Sequence, residues 1–243
     1  MKKPKMILFD YGHTLLYEPQ LDFLRAEKAL APYITENPRN LTPEQVNVFA
    51  ARLYAQAAPA RAAGAELHER QMKRLVYESL GIQFSISYAE IERIQWNTAS
   101  PGALMPDADQ LLSCLEKHGV RSGVISNIGW SGAALTERLN RLLPGNAFEF
   151  VIASSEYGFR KPSPYLFQLA LQKAGLPAQD VWFCGDNPKA DVEGAAGAGI
   201  FPVWYDNGLE CTYRDRTCEA PPACEHLHIR EWSELIALLE GLA

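Results

Sequence analysis

Apolar residues follow two rhythms along this chain. Short continuous runs recur at Met6–Phe9, Val120–Ile125, Phe148–Ala153, Val181–Cys184 and Ile200–Tyr205, each too brief for a buried helix, and each therefore predicts a strand. Elsewhere apolar positions return every three to four residues. That spacing predicts helices over about Asp107–Lys117, Gly132–Leu142, Ser163–Lys173, Asp191–Ala198 and Glu231–Leu239. In the third of these, Ser163 is placed to cap the helix and Pro164 to open it, where its missing N–H costs nothing. Strands alternating with helices predict an α/β fold, a doubly wound parallel sheet of Rossmann-like type.

The first strand is separated from the next by more than 100 residues, too many for a connection without structure of its own. This stretch reads as helical. Thr42-Pro43-Glu44-Gln45 has the form of a capping box, and Val46, Phe49, Ala50, Leu53 and Ala57 follow at helical spacing. Met72, Leu75, Val76 and Leu80 predict a second apolar face, and Pro59 with Gly64 predicts a break or kink between the two. The expected organisation is an α/β core of residues 1–16 and 101–243 with a helical cap subdomain, residues 17–100, inserted after the first strand. Ser100-Pro101-Gly102 is the expected return hinge.

Composition narrows the partners more than the fold. Of 243 residues, 47% are hydrophobic and 21% charged, enough apolar surface for a core. With 23 Lys and Arg against 29 Asp and Glu the net charge is −6, which argues against nucleic acid or an anionic membrane as a partner, since both are bound by dense positive patches. No apolar stretch has signal-peptide or membrane-span character, and five irregularly spaced cysteines suit reduced thiols, so the expected location is cytoplasmic.

In open α/β sheets the binding crevice lies beyond the carboxyl ends of the strands. Each of four predicted strands runs into polar residues there: Asp10; Ser126-Asn127; Arg160-Lys161-Pro162 by way of Ser154-Ser155; and Gly185-Asp186-Asn187. Singly these are turn or capping residues. Together they bring a carboxylate, a small hydroxyl, a lysine and a further acidic pair to one rim, a set suited to phosphoryl transfer.

Phe9-Asp10-Tyr11-Gly12-His13-Thr14-Leu15, Ile125-Ser126-Asn127, the segment from Ser154 to Pro162, and Gly185-Asp186-Asn187-Pro188-Lys189-Ala190-Asp191 stand in the order of the motifs of the haloacid dehalogenase-like (HAD) hydrolases, and the chain resembles that family over nearly its whole length. The resemblance implies that Asp10 is a nucleophile forming an aspartyl-phosphate, with Mg²⁺ held by Asp10, the Gly12 backbone carbonyl and Asp186, and with Asp191 beside them. It implies that Lys161 neutralises phosphate charge and Ser126 holds a phosphoryl oxygen, while Asn127, Arg160 and Thr14 become candidates for substrate contact. The inserted helices resemble the family's substrate-selecting cap. The implied substrate is a small phosphorylated metabolite.

The sequence departs from the family where its phosphatases carry an acid–base aspartate, because that position is Gly12. Acid–base assistance contributes about 10²- to 10⁴-fold, so the expectation is slow or leaving-group-selective hydrolysis. His13 is the nearest replacement acid, with a turn histidine as its ordinary alternative. Two rivals stand beside the phosphatase: a non-catalytic descendant that binds a phosphorylated ligand or a protein, and a metal-independent haloacid dehalogenase.

Other features have plainer readings. Gly194-Ala195-Ala196-Gly197-Ala198-Gly199 lacks the dinucleotide order and reads as close helix packing. Cys211, Cys218, Cys224, His226 and His228 hold enough ligand atoms for zinc but lack the paired spacing of common sites, so a surface loop is the expected reading and zinc its rival. Trp130 is either an entrance residue or a buried aromatic, and Arg52, Arg61, His68 and Arg70 offer positive charge in the inserted helices.

Overall fold

The computed structural model describes residues 1–242 apart from 213 and 215–218. All five expected strands enter one sheet, joined by a short sixth. Its order is Leu227–Ile229, Phe201–Tyr205, Val181–Gly185, Met6–Phe9, Arg121–Ser126, Phe148–Ala153, with every neighbouring pair parallel. The sheet grows in both directions from the first strand, so the switch point where such sheets bind ligands lies at its carboxyl end.

The first strand shows why the sheet is covered on both sides. Ile7 and Phe9 pack into one apolar cluster with Leu111, Leu115, Trp232 and Leu235, whereas Met6 and Leu8 enter another with Phe167, Ala170 and Phe183. All four strand residues are fully buried, as the two-residue period of a strand between two helical layers requires.

The helices follow the apolar spacing with two local departures. Ser163 precedes Pro164 as predicted, but its side chain makes no capping hydrogen bond, and the fixed φ of Pro164 sets the helix start instead. The expected Asp191–Ala198 helix begins earlier, as a wide turn over Pro188–Glu193 followed by Gly194–Gly197, because Asn187 Oδ1 accepts from the backbone N–H groups of Lys189 and Ala190. A Cβ at Gly194 would press on Phe167 and Pro162, which accounts for a small residue there; Gly197 faces open space.

Helices Phe23–Leu30, Pro43–Ala62, Glu69–Leu80 and Tyr88–Ala99 lie between the first and second sheet strands and share an apolar cluster that includes Leu30, Val46, Val76, Leu80 and Ile91. The capping box forms: Gln45 N–H donates to Thr42 Oγ1, and Thr42 N–H donates to Gln45 Oε1. Pro59 does not interrupt its helix. It is exposed in the last turn, and the chain turns at Gly64 with φ 96°. Leu75, expected on the apolar face, is 50% exposed, while Lys73 is buried because its ammonium pairs with Glu27 at 3.0 Å.

Two chain crossings connect these helices to the sheet, and Leu16–Tyr17 pairs antiparallel with Ala103–Leu104 between them. Arg138 fastens this junction. Its guanidinium donates to Glu18 Oε2 at 2.9 Å, the Ser100 carbonyl at 2.8 Å and Tyr11 Oη at 2.8 Å, and lies 4.4 Å from the Trp96 ring. The guanidinium fills the space a Cβ at Gly102 would need, and Gly102 has φ 70°. Removing one member of a buried ion pair leaves the other charge uncompensated. Arg138→Met is therefore expected to lower unfolding free energy by about 3–5 kcal/mol in denaturant melts; a loss under about 1 kcal/mol would show that the junction does not depend on it. Among the described residues no helix is long and apolar enough to cross a membrane.

Candidate active site

Register decides which strand ends meet. Phe9 stands level with Val124 on one side and Cys184 on the other, so Asp10 emerges beside Ile125 and Gly185. Its backbone N–H donates to the Cys184 carbonyl at 2.9 Å, which carries the strand pairing one residue past Phe9. Ser126 ends the adjacent strand and is buried.

Lys161 reaches this point from the segment after Phe148–Ala153. Its Nζ donates to Asp10 Oδ1 at 2.7 Å and to the Ile125 carbonyl at 2.8 Å, and lies 2.7 Å from Asp191 Oδ1. Burial alone would push the ammonium down, but the Asp10 and Asp191 charges outweigh it and hold the lysine above its ordinary range. Asn127 brackets the lysine's peptide from both sides: Lys161 N–H donates to Asn127 Oδ1 at 2.7 Å, and Asn127 Nδ2 donates to the Lys161 carbonyl at 2.9 Å. Asn127, an expected substrate contact, is thus tied by both side-chain polar atoms to the peptide that carries Lys161.

Asp186 and Asp191 follow the fourth strand. Asp191 folds back so that Oδ2 accepts from Asn187 N–H at 3.0 Å, and its carboxyl occupies the space a Cβ at Gly185 would fill. That contact gives the Gly-Asp-x4-Asp spacing a steric reason. Asp10, Asp186 and Asp191 are all buried and offer carboxylate oxygens within 4.8 Å of one another. Oxygens on opposite sides of one Mg²⁺ stand roughly 4 Å apart, so the cluster suits a single hard cation with oxygen ligands. Burial, then the neighbouring Asp10 charge, pushes the Asp191 carboxyl up, as expected where acidic groups crowd together.

The remaining predicted residues take varied places. Gly12 has no positive φ and forms an isolated bridge to Leu16, whereas His13 adopts the left-handed φ of 55°. His13 is fully buried; its carbonyl accepts from Asn207 Nδ2 at 2.7 Å and its ring lies 6.1 Å from that of Tyr17. Thr14 is buried, and its carbonyl accepts from the Trp232 indole N–H at 3.2 Å. Trp130 is buried and stacks on Trp96 at 5.1 Å.

Arg160 is part-buried and paired within the protein. Its guanidinium is ion-paired with Glu66, whose side chain is fully buried and also accepts from Ser154 Oγ at 2.7 Å and Arg61 Nε at 3.2 Å. The same turn of the inserted segment is tied down by backbone bonds: Arg160 N–H to the Gly64 carbonyl at 3.0 Å, Glu66 N–H to Gly158 at 2.9 Å and Glu69 N–H to Gly129 at 2.7 Å. Arg70 pairs with Glu92 at 2.7 Å, and Glu92 accepts from Ser131 N–H at 2.7 Å. Arg61 and Arg70 therefore have carboxylate partners within the protein. Glu66 and Glu92 had no sequence signal, because the residues of the sheet-bearing part that they bind, Arg160 and Ser131, are 94 and 39 residues away.

Beyond the Phe201–Tyr205 strand the chain passes this rim. Arg214 Nη2 lies 2.5 Å from Asp186 Oδ2, and its Nε lies 2.9 Å from Glu219 Oε1. Cys218, part of the Cys–His group singled out in the sequence, lies outside the described residues. Of that group, His226 and His228 pack against Trp204, the latter stacked at 4.3 Å. Among the described residues the three aspartates form the one group arranged to hold a metal.

A family model for haloacid dehalogenase-like hydrolases matches residues 4–199. The chain is 34% identical over 130 residues to a phosphoserine phosphatase of Thermus thermophilus, covering 53% of this chain and 49% of that protein. It is 25% identical over 214 residues to a glyceraldehyde 3-phosphate phosphatase of Methanothermobacter thermautotrophicus, covering 87% and 89%. Against most of the curated relatives it matches, the chain spans about half their length. A 2-haloacid dehalogenase structure from Pseudomonas syringae superposes with a TM-score of 0.64 over all of both chains at 22% identity, a likeness of fold.

Proposed function

Since this chain belongs to the haloacid dehalogenase-like hydrolases, we propose that it hydrolyses phosphate monoesters of small metabolites through Asp10, with Mg²⁺ as cofactor. The observation that carries this is the buried Asp10–Asp186–Asp191 cluster beside Lys161. A dehalogenase attacking carbon needs no cation between nucleophile and substrate; three carboxylates within 4.8 Å make sense where one is bound. Similarity to phosphatases supports the same choice.

Asp10, the Gly12 carbonyl and Asp186 would hold the ion, with Asp191 keeping Lys161 in place. Bound there, Mg²⁺ supplies positive charge that lets a carboxylate approach a phosphate dianion. Asp10 attacks phosphorus, and the ester oxygen leaves as the aspartyl-phosphate forms. Lys161 balances charge on the transferring group, and Ser126 donates to one of its oxygens. The helices of residues 17–100 act as the cap, with the Gly64–Glu69 turn seated against the Gly158–Arg160 segment. Four free thiols among the described cysteines suit a cytoplasmic setting.

Gly12 offers no side-chain acid to the leaving oxygen. A panel of phosphorylated metabolites and aryl phosphates, assayed with Mg²⁺ and with chelator, tests the proposal. We expect Mg²⁺-dependent turnover that is about 10²-fold or more faster for aryl than alkyl leaving groups, because a stable phenolate needs less protonation. Equal rates would reveal another proton donor, His13 being the nearest. Turnover of a haloacid in chelator would replace the phosphatase by the dehalogenase.

A further inference from the structure

The cation-binding carboxylates proposed above are already in contact with two cations of the chain. Lys161 neutralises Asp10 and Asp191, an arrangement the motif spacing anticipates. Arg214 comes from the connection between Phe201–Tyr205 and Leu227–Ile229, and its guanidinium lies 2.5 Å from Asp186. Its side chain is 22% exposed, and Glu219 holds the other edge of the guanidinium at 2.9 Å. The connection is tied to the same rim upstream, through Asn207 on the His13 carbonyl at 2.7 Å and Thr212 Oγ1 on the Glu18 carbonyl at 3.2 Å. Arg214 is thus delivered to Asp186 by a segment anchored on the nucleophile loop.

The guanidinium sets a positive charge directly against a carboxylate that a divalent cation at this site would need. Arg214 also occupies an oxygen of Asp186 with a charge-assisted hydrogen bond that a cation binding Asp186 must disturb. Resting on the reading of Asp186 as a metal ligand, we propose that Arg214 competes with the divalent cation for Asp186 and so sets the metal affinity of the site.

The test is calorimetric titration of Mg²⁺ into the full-length wild type, Arg214→Gln, Arg214→Lys and Asp186→Asn, in substrate-free buffer. Arg214→Gln is expected to bind Mg²⁺ at least about 10-fold more tightly than wild type, since it removes both the bond to Asp186 and a full positive charge from beside it. Arg214→Lys keeps the charge and is expected to change affinity less than Arg214→Gln. Thermal melts establish that each variant is folded. Unchanged or weaker Mg²⁺ binding by Arg214→Gln overturns the proposal. If Asp186→Asn abolishes Mg²⁺ binding while Arg214→Gln matches wild type, only the competition fails. If Asp186→Asn binds as wild type does, the metal-ligand reading fails with it.

Discussion

Replacing Asp10 by asparagine is expected to reduce turnover of every phosphate ester by about 10⁴-fold or more, while the protein remains folded. The amide keeps the size of the carboxylate but has no charge with which to attack phosphorus. The fold survives because Asp10 carries little of it. The apolar strand before it is buried without help from the side chain, and Lys161 retains Asp191 at 2.7 Å and the Ile125 carbonyl at 2.8 Å. Steady-state rates on an aryl phosphate measure the loss, and a thermal melt separates it from unfolding. Retention of more than about a tenth of the activity in a folded Asp10→Asn protein would remove Asp10 from the chemistry.

The second large effect runs the other way. Gly12→Asp is expected to raise turnover of alkyl phosphates by about 10²-fold or more, because it supplies the group able to protonate a poor leaving oxygen. Nothing in the backbone reserves this position for glycine, since its φ is not positive; the left-handed residue of the loop is His13, with φ 55°. Aryl phosphates should gain much less, so the aryl-to-alkyl rate ratio should fall. A folded variant with unchanged alkyl turnover would show that leaving-group protonation does not limit this enzyme. The added carboxylate enters a buried loop, and a melt of the variant must accompany the rates.

These two residues were legible in the sequence, and Arg214 was not, for reasons of range. A strand-end aspartate, a lysine before proline and a Gly-Asp-x4-Asp spacing are local patterns. Each records a backbone geometry a few residues long: Gly185 is small because the Asp191 carboxyl lies against it six residues on. The pairings of Arg160 with Glu66, Arg214 with Asp186 and Arg138 with Glu18 join positions 94, 28 and 120 residues apart. No period in the chain marks them. The three-residue strand Leu227–Ile229 escaped for a related reason, being too short to show alternation. Leu75 lies outside its expected apolar face, while Lys73 beside it is buried because Glu27 at 3.0 Å and Glu69 at 3.9 Å make burial of the ammonium acceptable.

The sequence by itself determined the layered α/β architecture, the place of the inserted helices and the residues gathered at the strand ends. Apolar runs must be buried, and a parallel strand buried on both faces leaves only its ends for polar groups. The tertiary structure alone decided which charges meet there. Asn127 is turned to the Lys161 peptide, Arg160 is held by Glu66 and Arg214 rests on Asp186. Coulomb attraction depends on distance through space, and folding brings together charges whose separation along the chain gives no sign of it.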